Sequence, residues 1–274
     1  MIRVIFNQKG GVGKSSITAN LAAISAYVGQ KTLVIDLDPQ GNSSQYLLGR
    51  GAEIGRRNIA EFFKSTLSFK LLPPRAADYI RETPFKNLDI MTASQQLAEI
   101  QSSLEMKHKI YKLKDLLGTL SDYDAVYIDT PPNYNFYTMS ALIAAQTCLI
   151  PYDCDEFSRQ ALYTLLQNID EIRADHNAQL QVEGIVVNQF QARASLPQRS
   201  IHELKSEGLP LLDTMISSSI KMKESHDLSL PLIHFLPKHK LTQEFIALFA
   251  ELNPQVPGVD KLLKVAEVEA PNLA

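Results

Sequence analysis

The segment Lys9–Ser16 constrains the fold of this chain more than any other stretch. It reads Lys-Gly-Gly-Val-Gly-Lys-Ser-Ser, follows the apolar run 2–6 and precedes apolar residues at the spacing of a helix. Glycines at a strand-to-helix turn let backbone N–H groups surround phosphate oxygens, and the helix N-terminus adds its positive end. The spacing therefore predicts a phosphate-binding loop. Its members are Gly10, Gly11, Val12, Gly13, Lys14, Ser15 and Ser16.

Two side chains of this loop have the chemistry that a nucleotide requires. Lys14 can neutralise the β- and γ-phosphates, and the hydroxyl of Ser15 can ligate Mg²⁺. The alternative is a glycine-rich turn that precedes a lysine and binds no ligand. An apolar strand before the loop and a helix after it are the context that the phosphate-binding pattern requires, so we expect a ligand here.

Composition limits the class of protein. With 274 residues, 45% of them hydrophobic, the chain can bury a large core without disulfides or a structural metal. The two cysteines, Cys148 and Cys154, suit a reducing compartment, and no apolar stretch approaches the roughly 20 residues of a membrane span. Met1 leads directly into the first predicted strand without a signal peptide, so we expect a cytoplasmic protein. A net charge of −3 restricts any nucleic-acid contact to a local basic patch.

Apolar runs of strand length alternate with helical patterns, which predicts an α/β fold with a doubly wound, mostly parallel sheet. The predicted strands are Arg3–Asn7, Thr32–Asp36, Leu88–Met91, Ala125–Asp129, Thr147–Pro151, Gly184–Asn188, Leu212–Ile216 and Pro231–Phe235. The clearest helices are Ser15–Tyr27, Gln95–Met106, Gln160–Arg173 and Leu241–Leu252. We expect residues 1–252 to form one domain and residues 253–274 to form a C-terminal tail.

Carboxylates follow two of the buried strands. Asp36 and Asp38 end the second strand, and Asp129 ends the run Ala125–Asp129. Ligands of open α/β sheets bind beyond the carboxyl ends of the strands, so these side chains should face the phosphates. The alternative for Asp36 and Asp38 is a pair of acidic caps for the next helix. An apolar strand that ends in aspartate is a weak signal alone, but after a phosphate-binding loop it indicates that Asp129 holds Mg²⁺ through water.

Lys9 narrows the type of phosphate-binding loop, because an ordinary loop of this kind accepts any residue at its entrance. The form Lys-Gly-Gly-x-Gly-Lys-Ser-Ser resembles the deviant Walker A loop of the ParA/MinD family of ATPases. Residues Asp36–Asn42 look like the Asp-x-Asp-Pro-Gln-Gly-Asn motif of the same family. The resemblance extends from Met1 to about Leu252, and it implies a phosphate-loop NTPase fold with ATP and Mg²⁺ as cofactors.

The resemblance also implies roles for individual residues. In that family the first lysine reaches the nucleotide of the other subunit, so Lys9 should act across an ATP-bound homodimer. Asp38 should orient and activate the attacking water, and Asp36 should lie near the water shell of Mg²⁺. The implied catalytic residues are Lys9, Lys14 and Asp38, and the implied metal site is Ser15, Asp36 and Asp129. A solvated surface charge remains the alternative for Lys9.

Two further residues are candidates for contact with the adenine. Asn188 ends a predicted strand, and its amide can both donate and accept hydrogen bonds to a base edge. The alternative is an asparagine at the core edge that is satisfied by a turn. Pro237 falls where the family has a base-contacting loop, although Leu236 replaces an aspartate that often precedes it.

The chain resembles the short, stand-alone ParA proteins, which implies a positioning function. Such proteins are weak, partner-stimulated and Mg-dependent ATP hydrolases that bind double-stranded DNA non-specifically as ATP dimers. They associate with the nucleoid and position a plasmid, a chromosome or a protein cargo, with a ParB-like or cargo-adaptor protein as activator. The candidate DNA contacts are Arg193, Lys221 and Lys223, which match basic positions of several relatives. Solvated charges are the alternative for these residues.

Three other functions can be weighed against this one. A MinD-like regulator of division site or flagellar number would bind the membrane through a basic terminal helix, whereas residues 267–274 contain two glutamates and no lysine or arginine. We therefore expect no membrane partner. An iron–sulfur ATPase of the nitrogenase iron-protein type needs cluster-ligating cysteines, and Cys148 and Cys154 do not match their positions. A small-molecule ligase or kinase would need a substrate pocket that the sequence does not reveal.

Overall fold

A seven-stranded sheet lies at the centre of the molecule. The computed structural model describes residues 1–51, 58–69, 74–154, 158–191, 195–258 and 262. The strands are β1 Ile2–Ile5, β2 Thr32–Asp36, β3 Arg81–Glu82, β4 Leu88–Met91, β5 Ala125–Asp129, β6 Thr147–Asp153 and β7 Gln181–Asn188. Their order is β3-β4-β2-β5-β1-β6-β7. All neighbouring strands are parallel except β3, which pairs antiparallel with β4.

Helices cover both faces of this sheet. They are α1 Lys14–Tyr27, α2 Asn42–Leu48, α3 Ile59–Ser65, α4 Gln96–Met106, α5 Lys112–Leu117, α6 Phe136–Ala144, α7 Ser158–Asp175, α8 Ser195–Ser206, α9 Ile220–Leu228, α10 Leu232–Phe235 and α11 Lys240–Leu252. A 3₁₀ turn at Ala76–Tyr79 precedes β3.

The core consists of two hydrophobic layers, because successive side chains of a strand point to opposite faces of the sheet. On β1 and β2, Val4 and Leu33 enter one layer, while Ile5 and Val34 enter the other. Helices α3 to α8 contribute to the first layer, and α1, α2, α10 and α11 contribute to the second. The prediction of a doubly wound, mostly parallel sheet is confirmed.

The strand order brings the carboxyl ends of β1, β2 and β5 together, since β5 lies between the other two. In this register Asp129, at the end of β5, is opposite Ile5 on β1 and Asp36 on β2. The hydroxyl of Thr130 donates to the Ile5 carbonyl at 2.7 Å and ties the end of β5 to β1. The loop after β1 and the carboxylates after β2 and β5 therefore share one edge of the sheet.

The predicted strand Leu212–Ile216 is wrong. This segment runs beside β7 and makes isolated parallel bridges at Leu211 and Ser217, but it is not a strand of the sheet. Between the bridges, the Leu212 and Ile216 amides donate to Ile185 and Val187 of β7, but the Thr214 amide, which would face β7 in a regular ladder, donates to the carboxylate of Glu251 on α11 at 3.0 Å. A side chain thus takes a hydrogen bond that a regular ladder would need, which interrupts the strand.

The predicted strand Pro231–Phe235 is also wrong, because Leu232–Phe235 forms the one-turn helix α10. Pro231 stands at its N-cap position with φ −51°, and Leu232 and Ile233 are buried in the layer that contains α1 and α11. A short apolar run has the same appearance in a strand and in a buried helical turn, so the pattern alone could not separate them.

No helix in the described ranges is both long enough and apolar enough to cross a membrane.

Candidate functional site

A cavity of about 350 Å³ opens at the shared edge of β1, β2 and β5. Its walls come from the phosphate-binding loop, the loop after β2, the segment after β5 and helix α9. The lining residues are Gly10, Gly11, Gly13, Lys14, Ser15, Ser16, Asp38, Gln40, Asn42, Pro132 and His226. The structure therefore brings together the loop and a carboxylate that were predicted to share a ligand.

The loop has the backbone geometry of an anion site. Gly11 and Gly13 have φ values of 77° and 89°, in the left-handed region that favours glycine. Gly13 is the N-cap of α1, and no side chain caps this helix. A helix N-terminus without a side-chain cap presents N–H groups to a ligand and adds its positive end, so it attracts an anion.

The side chain of Asn188 leaves no room for a side chain at position 13, so only glycine fits there. Its Nδ2 atom donates to the Val12 carbonyl at 2.8 Å, and a Cβ added to Gly13 would lie 2.2 Å from the same atom. The neighbouring Gln189 donates to the Gly11 carbonyl at 2.7 Å. The end of β7 thus holds the loop in shape, so the amide nitrogen of Asn188 is engaged by backbone here, and contact with an adenine stays a prediction.

Lys14 lies inside the site and is 7% exposed. Its ammonium donates to the Lys9 carbonyl at 2.9 Å. Burial lowers the pKa of Lys14 from its ordinary value, and the nearby carboxylates of Asp129 and Asp38 partly offset this effect. A polyanion in the cavity would favour the charged ammonium in the same way, which fits the predicted role of Lys14 against phosphates.

Asp36 and Asp129 are both fully buried at the base of the site. Asp36 accepts hydrogen bonds from the Ser44 amide at 2.8 Å and the Ser44 hydroxyl at 2.7 Å. Burial, and then the neighbouring Asp129, raise the pKa of Asp36 well above its ordinary value despite these bonds. Burial likewise raises the pKa of Asp129 to about 6, although the Ser15 and Ser43 hydroxyls and Lys14 lower it.

The residues around Asp36 and Asp129 fit a hydrated divalent cation. Oδ2 of Asp129 accepts from the Ser43 hydroxyl at 2.7 Å, whereas Oδ1 is a buried oxygen without a hydrogen-bond partner in the described part of the chain. Within that part, no group of three or more His, Cys, Asp or Glu side chains could hold a metal by itself. Mg²⁺ often takes one or two protein carboxylates and obtains its other ligands from water and phosphate. Ser15, Asp36 and Asp129 match that pattern.

Asp38 lies between the base of the site and the cavity. Its amide donates to Oδ1 of Asp36 at 3.1 Å, and its own Oδ1 accepts from the Gln40 amide at 3.0 Å. Gly41, with φ 66°, then turns the chain into α2. These bonds orient the Asp38 carboxylate where it lines the cavity, which is the place that an activating role requires.

Lys9 and Pro237 lie outside the cavity lining. The Lys9 ammonium is 3.7 Å from the carboxylate of Asp153, at the end of β6, and its side chain is about one-third exposed. Pro237 lies between α10 and α11 at the surface, and its carbonyl accepts from Gln243 at 2.6 Å. Neither residue therefore lines the cavity of its own chain, although the Lys9 carbonyl accepts the Lys14 ammonium.

The three predicted DNA contacts have different surroundings. Arg193 falls outside the described residues. Lys223 is exposed on α9, whereas the ammonium of Lys221 on the same helix donates to Glu224 at 2.8 Å. Lys221 and Lys223 are thus on one helix, which also contributes His226 to the cavity.

Sequence reasoning missed several residues that hold the site residues in place or line the cavity. Ser43 and Ser44 hold the two buried carboxylates, and their position directly after the Asp-Pro-Gln-Gly-Asn string was an available signal. His226 lines the cavity and lies 2.9 Å from the Ser16 hydroxyl. It is 210 residues away along the chain and belongs to no motif, so only the folded structure places it there.

Together the sheet, the loop and the paired carboxylates define a phosphate-loop nucleotide-binding protein. Residues 1–182 match a protein family described as an AAA domain. The chain is 31% identical over 252 residues to the chromosome partitioning protein ParA of Myxococcus xanthus (strain DK1622), covering 90% of this chain and 86% of that protein. It is 29% identical over 254 residues to the sporulation initiation inhibitor protein Soj of Bacillus subtilis (strain 168), covering 92% and 97% respectively. The chain therefore belongs to the ParA/MinD family of ATPases.

Solved structures agree on the fold. The ATP complex of McdA from Cyanothece superposes with a TM-score of 0.80 and 21% identity, over 92% of this chain and 96% of that one. This level of identity shows the fold alone. The sequence-based prediction of the family and of its phosphate-loop fold is confirmed.

Proposed function

We propose that this protein is a ParA-like positioning ATPase that works in the cytoplasm on the nucleoid. With ATP and Mg²⁺ it forms a homodimer that binds double-stranded DNA without sequence preference. A ParB-like or cargo-adaptor protein stimulates its weak ATP hydrolysis, and the cycle positions a plasmid, a chromosome or a protein cargo. The names of its relatives, which include a chromosome partitioning protein, support this function.

The location of the two lysines carries the proposal. Lys14 is buried and lines the cavity, whereas Lys9 is not among the lining residues: its ammonium lies 3.7 Å from Asp153 and its side chain is partly exposed. A lysine beside Asp153 would have to leave that contact to reach a nucleotide in this cavity. It can reach the nucleotide of a second copy that docks face to face, which is the role that the family resemblance implies for Lys9.

Within one subunit, the other predicted site residues bind the phosphates, the metal and the attacking water. The N-terminus of α1 and Lys14 bind the phosphates, and Ser15, Asp36 and Asp129 hold the metal and its water shell. Mg²⁺, when bound, neutralises part of the phosphate charge. Asp38 is held at the cavity by its two backbone hydrogen bonds, where it orients and polarises the attacking water.

Dimerisation is tested by light scattering with a non-hydrolysable ATP analogue and with ADP, each in Mg²⁺. We expect the wild type to dimerise with the analogue only, and Lys9→Ala to remain monomeric. Lys64→Ala, which removes an exposed lysine of α3, is the matched control and should dimerise normally. Asp38→Ala should accumulate dimers with ATP itself, because it binds ATP and fails to hydrolyse it. A wild type that stays monomeric with the analogue would contradict the proposal.

DNA binding is tested by fluorescence titration of unrelated duplexes at several salt concentrations. With about 4–6 phosphate contacts per dimer, the logarithm of the affinity should fall with log salt at a slope of about −0.9 per contact. Replacing Arg193, Lys221 and Lys223 by alanine should weaken binding to all duplexes alike and flatten this slope. Lys64→Ala, Lys112→Ala and Arg173→Ala combined, which also removes three exposed cations, is the control for lost charge. DNA binding that is absent with the ATP analogue, or unchanged in the triple variant, would point to a matrix other than DNA.

A further inference from the structure

His226 is the one cavity-lining residue that comes from the C-terminal third of the described chain. It is on α9, and its Nε2 atom lies 2.9 Å from the hydroxyl of Ser16, in the first turn of α1. The imidazole ring stacks on Tyr46 of α2, with centroids 4.0 Å apart and planes at 14°. The ring is thereby held with one nitrogen at the phosphate-binding end of α1.

The surroundings keep this imidazole neutral at physiological pH. Burial, and then the nearby Arg50, lower the pKa of His226 from its ordinary value, and Asp227 only partly opposes them. A neutral imidazole carries one N–H, and the Ser16 hydroxyl can either accept from Nε2–H or donate to a bare Nε2. The two groups can therefore exchange roles when an anion takes one of their hydrogen bonds.

Ser16 is part of the phosphate-binding loop and lines the same cavity as His226. An anion that reaches the Ser16 hydroxyl comes next to the imidazole as well, because the two groups are in hydrogen-bond contact. We propose that His226 is a further nucleotide-binding residue, which donates its Nε2–H to a phosphate oxygen beside Ser16. This inference rests on the proposed nucleotide site.

The position of His226 also connects the nucleotide to α9. Lys221 and Lys223 are on this helix, five and three residues before His226 and so about one turn away. A phosphate held jointly by Ser16 and His226 fixes α9 against α1, so nucleotide binding and the orientation of these lysines depend on the same contact.

The test compares the affinities of variants for ADP, measured by displacement of a fluorescent ADP analogue. His226→Phe keeps a ring against Tyr46 but removes the donor, and we expect the affinity for ADP to fall about tenfold, as for a lost hydrogen bond to a charged group. His226→Gln keeps an N–H donor and should recover most of this loss. His234→Phe is the matched control, because His234 also stacks on an aromatic ring, Phe85, and does not line the cavity.

Equal affinity of His226→Phe and the wild type would overturn the inference, and so would an equal loss in His234→Phe or no recovery in His226→Gln. A measurement on the wild type makes the test independent of how the variants fold. In protein labelled with ¹⁵N-histidine, saturating ADP should shift the Nε2 resonance of His226 and leave that of His234 in place. An unshifted His226 resonance would also overturn it. A wild type that does not bind ADP at all would instead refute the proposed nucleotide site.

Discussion

Among single residues, Asp129 shows that a residue of the candidate site can lower the free energy of unfolding at neutral pH. Its folded-state pKa of about 6 lies above the ordinary value of 3.8, because burial outweighs the two serine hydroxyls and Lys14. The native protein therefore holds this proton more tightly than the unfolded chain does. As the pH rises from about 4 to about 6, the unfolded chain releases the proton first, and the stability of the protein without nucleotide and Mg²⁺ falls.

We expect Asp129→Asn to stabilise the protein in EDTA at pH 7.5 by about 1–3 kcal/mol, since the amide needs no proton to stay neutral. Urea unfolding followed by circular dichroism measures this difference, which should shrink toward zero near pH 4. The control is Asp115→Asn, an exposed residue of α5 paired with Lys112, which should change stability little at either pH. ATP hydrolysis should be lost in Asp129→Asn. A variant less stable than the wild type at pH 7.5 would contradict this account of the site.

At the scale of elements, the buried Asn20 on α1 joins the helices on one side of the sheet. Its Nδ2 atom donates to the Ser16 carbonyl at 2.8 Å and to the Tyr46 hydroxyl at 3.2 Å, and its Oδ1 accepts from the Leu232 amide at 2.8 Å. The Tyr46 hydroxyl in turn is 2.5 Å from the Ser225 hydroxyl on α9. One polar network thus connects α1, α2, α9 and α10.

Asn20→Ala should therefore destabilise the protein by about 1–3 kcal/mol, because the Leu232 amide loses its acceptor in the interior. Tyr46→Phe removes the two neutral hydrogen bonds of the Tyr46 hydroxyl, to Asn20 and to Ser225, and should cost about 1–2 kcal/mol. Urea unfolding curves of the two variants and the wild type measure both changes. Gln45→Ala, on the exposed face of α2, should lie within about 0.5 kcal/mol of the wild type. If Asn20→Ala were as stable as Gln45→Ala, the network would not hold the helices together.

For the molecule as a whole, the buried Arg3 connects the centre of the sheet to its edge and to the end of α11. Its guanidinium on β1 binds both carboxylate oxygens of Glu183 on β7 at 2.5 Å, and it reaches the Tyr127 hydroxyl on β5 at 3.2 Å. It also donates to Oδ1 of Asn253, directly after α11, at 3.2 Å. The Glu183 and Tyr127 contacts raise the pKa of Arg3 even though its burial lowers it.

Arg3→Ala should lower the free energy of unfolding by about 3–5 kcal/mol, since it leaves Glu183 without its partner in a largely buried position. The matched control is Arg173→Ala, which breaks the exposed pair with Asp170 on α7 and should cost no more than about 1 kcal/mol. Urea unfolding measures both. Equal losses in the two variants would show that Arg3 acts as an ordinary surface charge.

The folded structure confirms several expectations that rested on local pattern. The phosphate-binding loop, the strands that end in Asp36 and Asp129 and the helix after the loop are encoded in short, consecutive stretches, so propensity and motif spacing identify them. The run Pro231–Phe235 was misread because its burial follows from packing against distant helices. The two-residue strand β3 has too few residues to form any pattern.

The sequence by itself determined the ligand class and the edge of the sheet that carries the loop and the carboxylates, because each of these features needs only its own residues in order. Only the tertiary structure decided which partners surround them. The bonds of Asn188 to Val12 and of His226 to Ser16 span 176 and 210 residues, and the direction of Lys9 toward Asp153 depends on how β6 lies beside β1. Contacts of that range are set by how the whole chain packs, which no local pattern records.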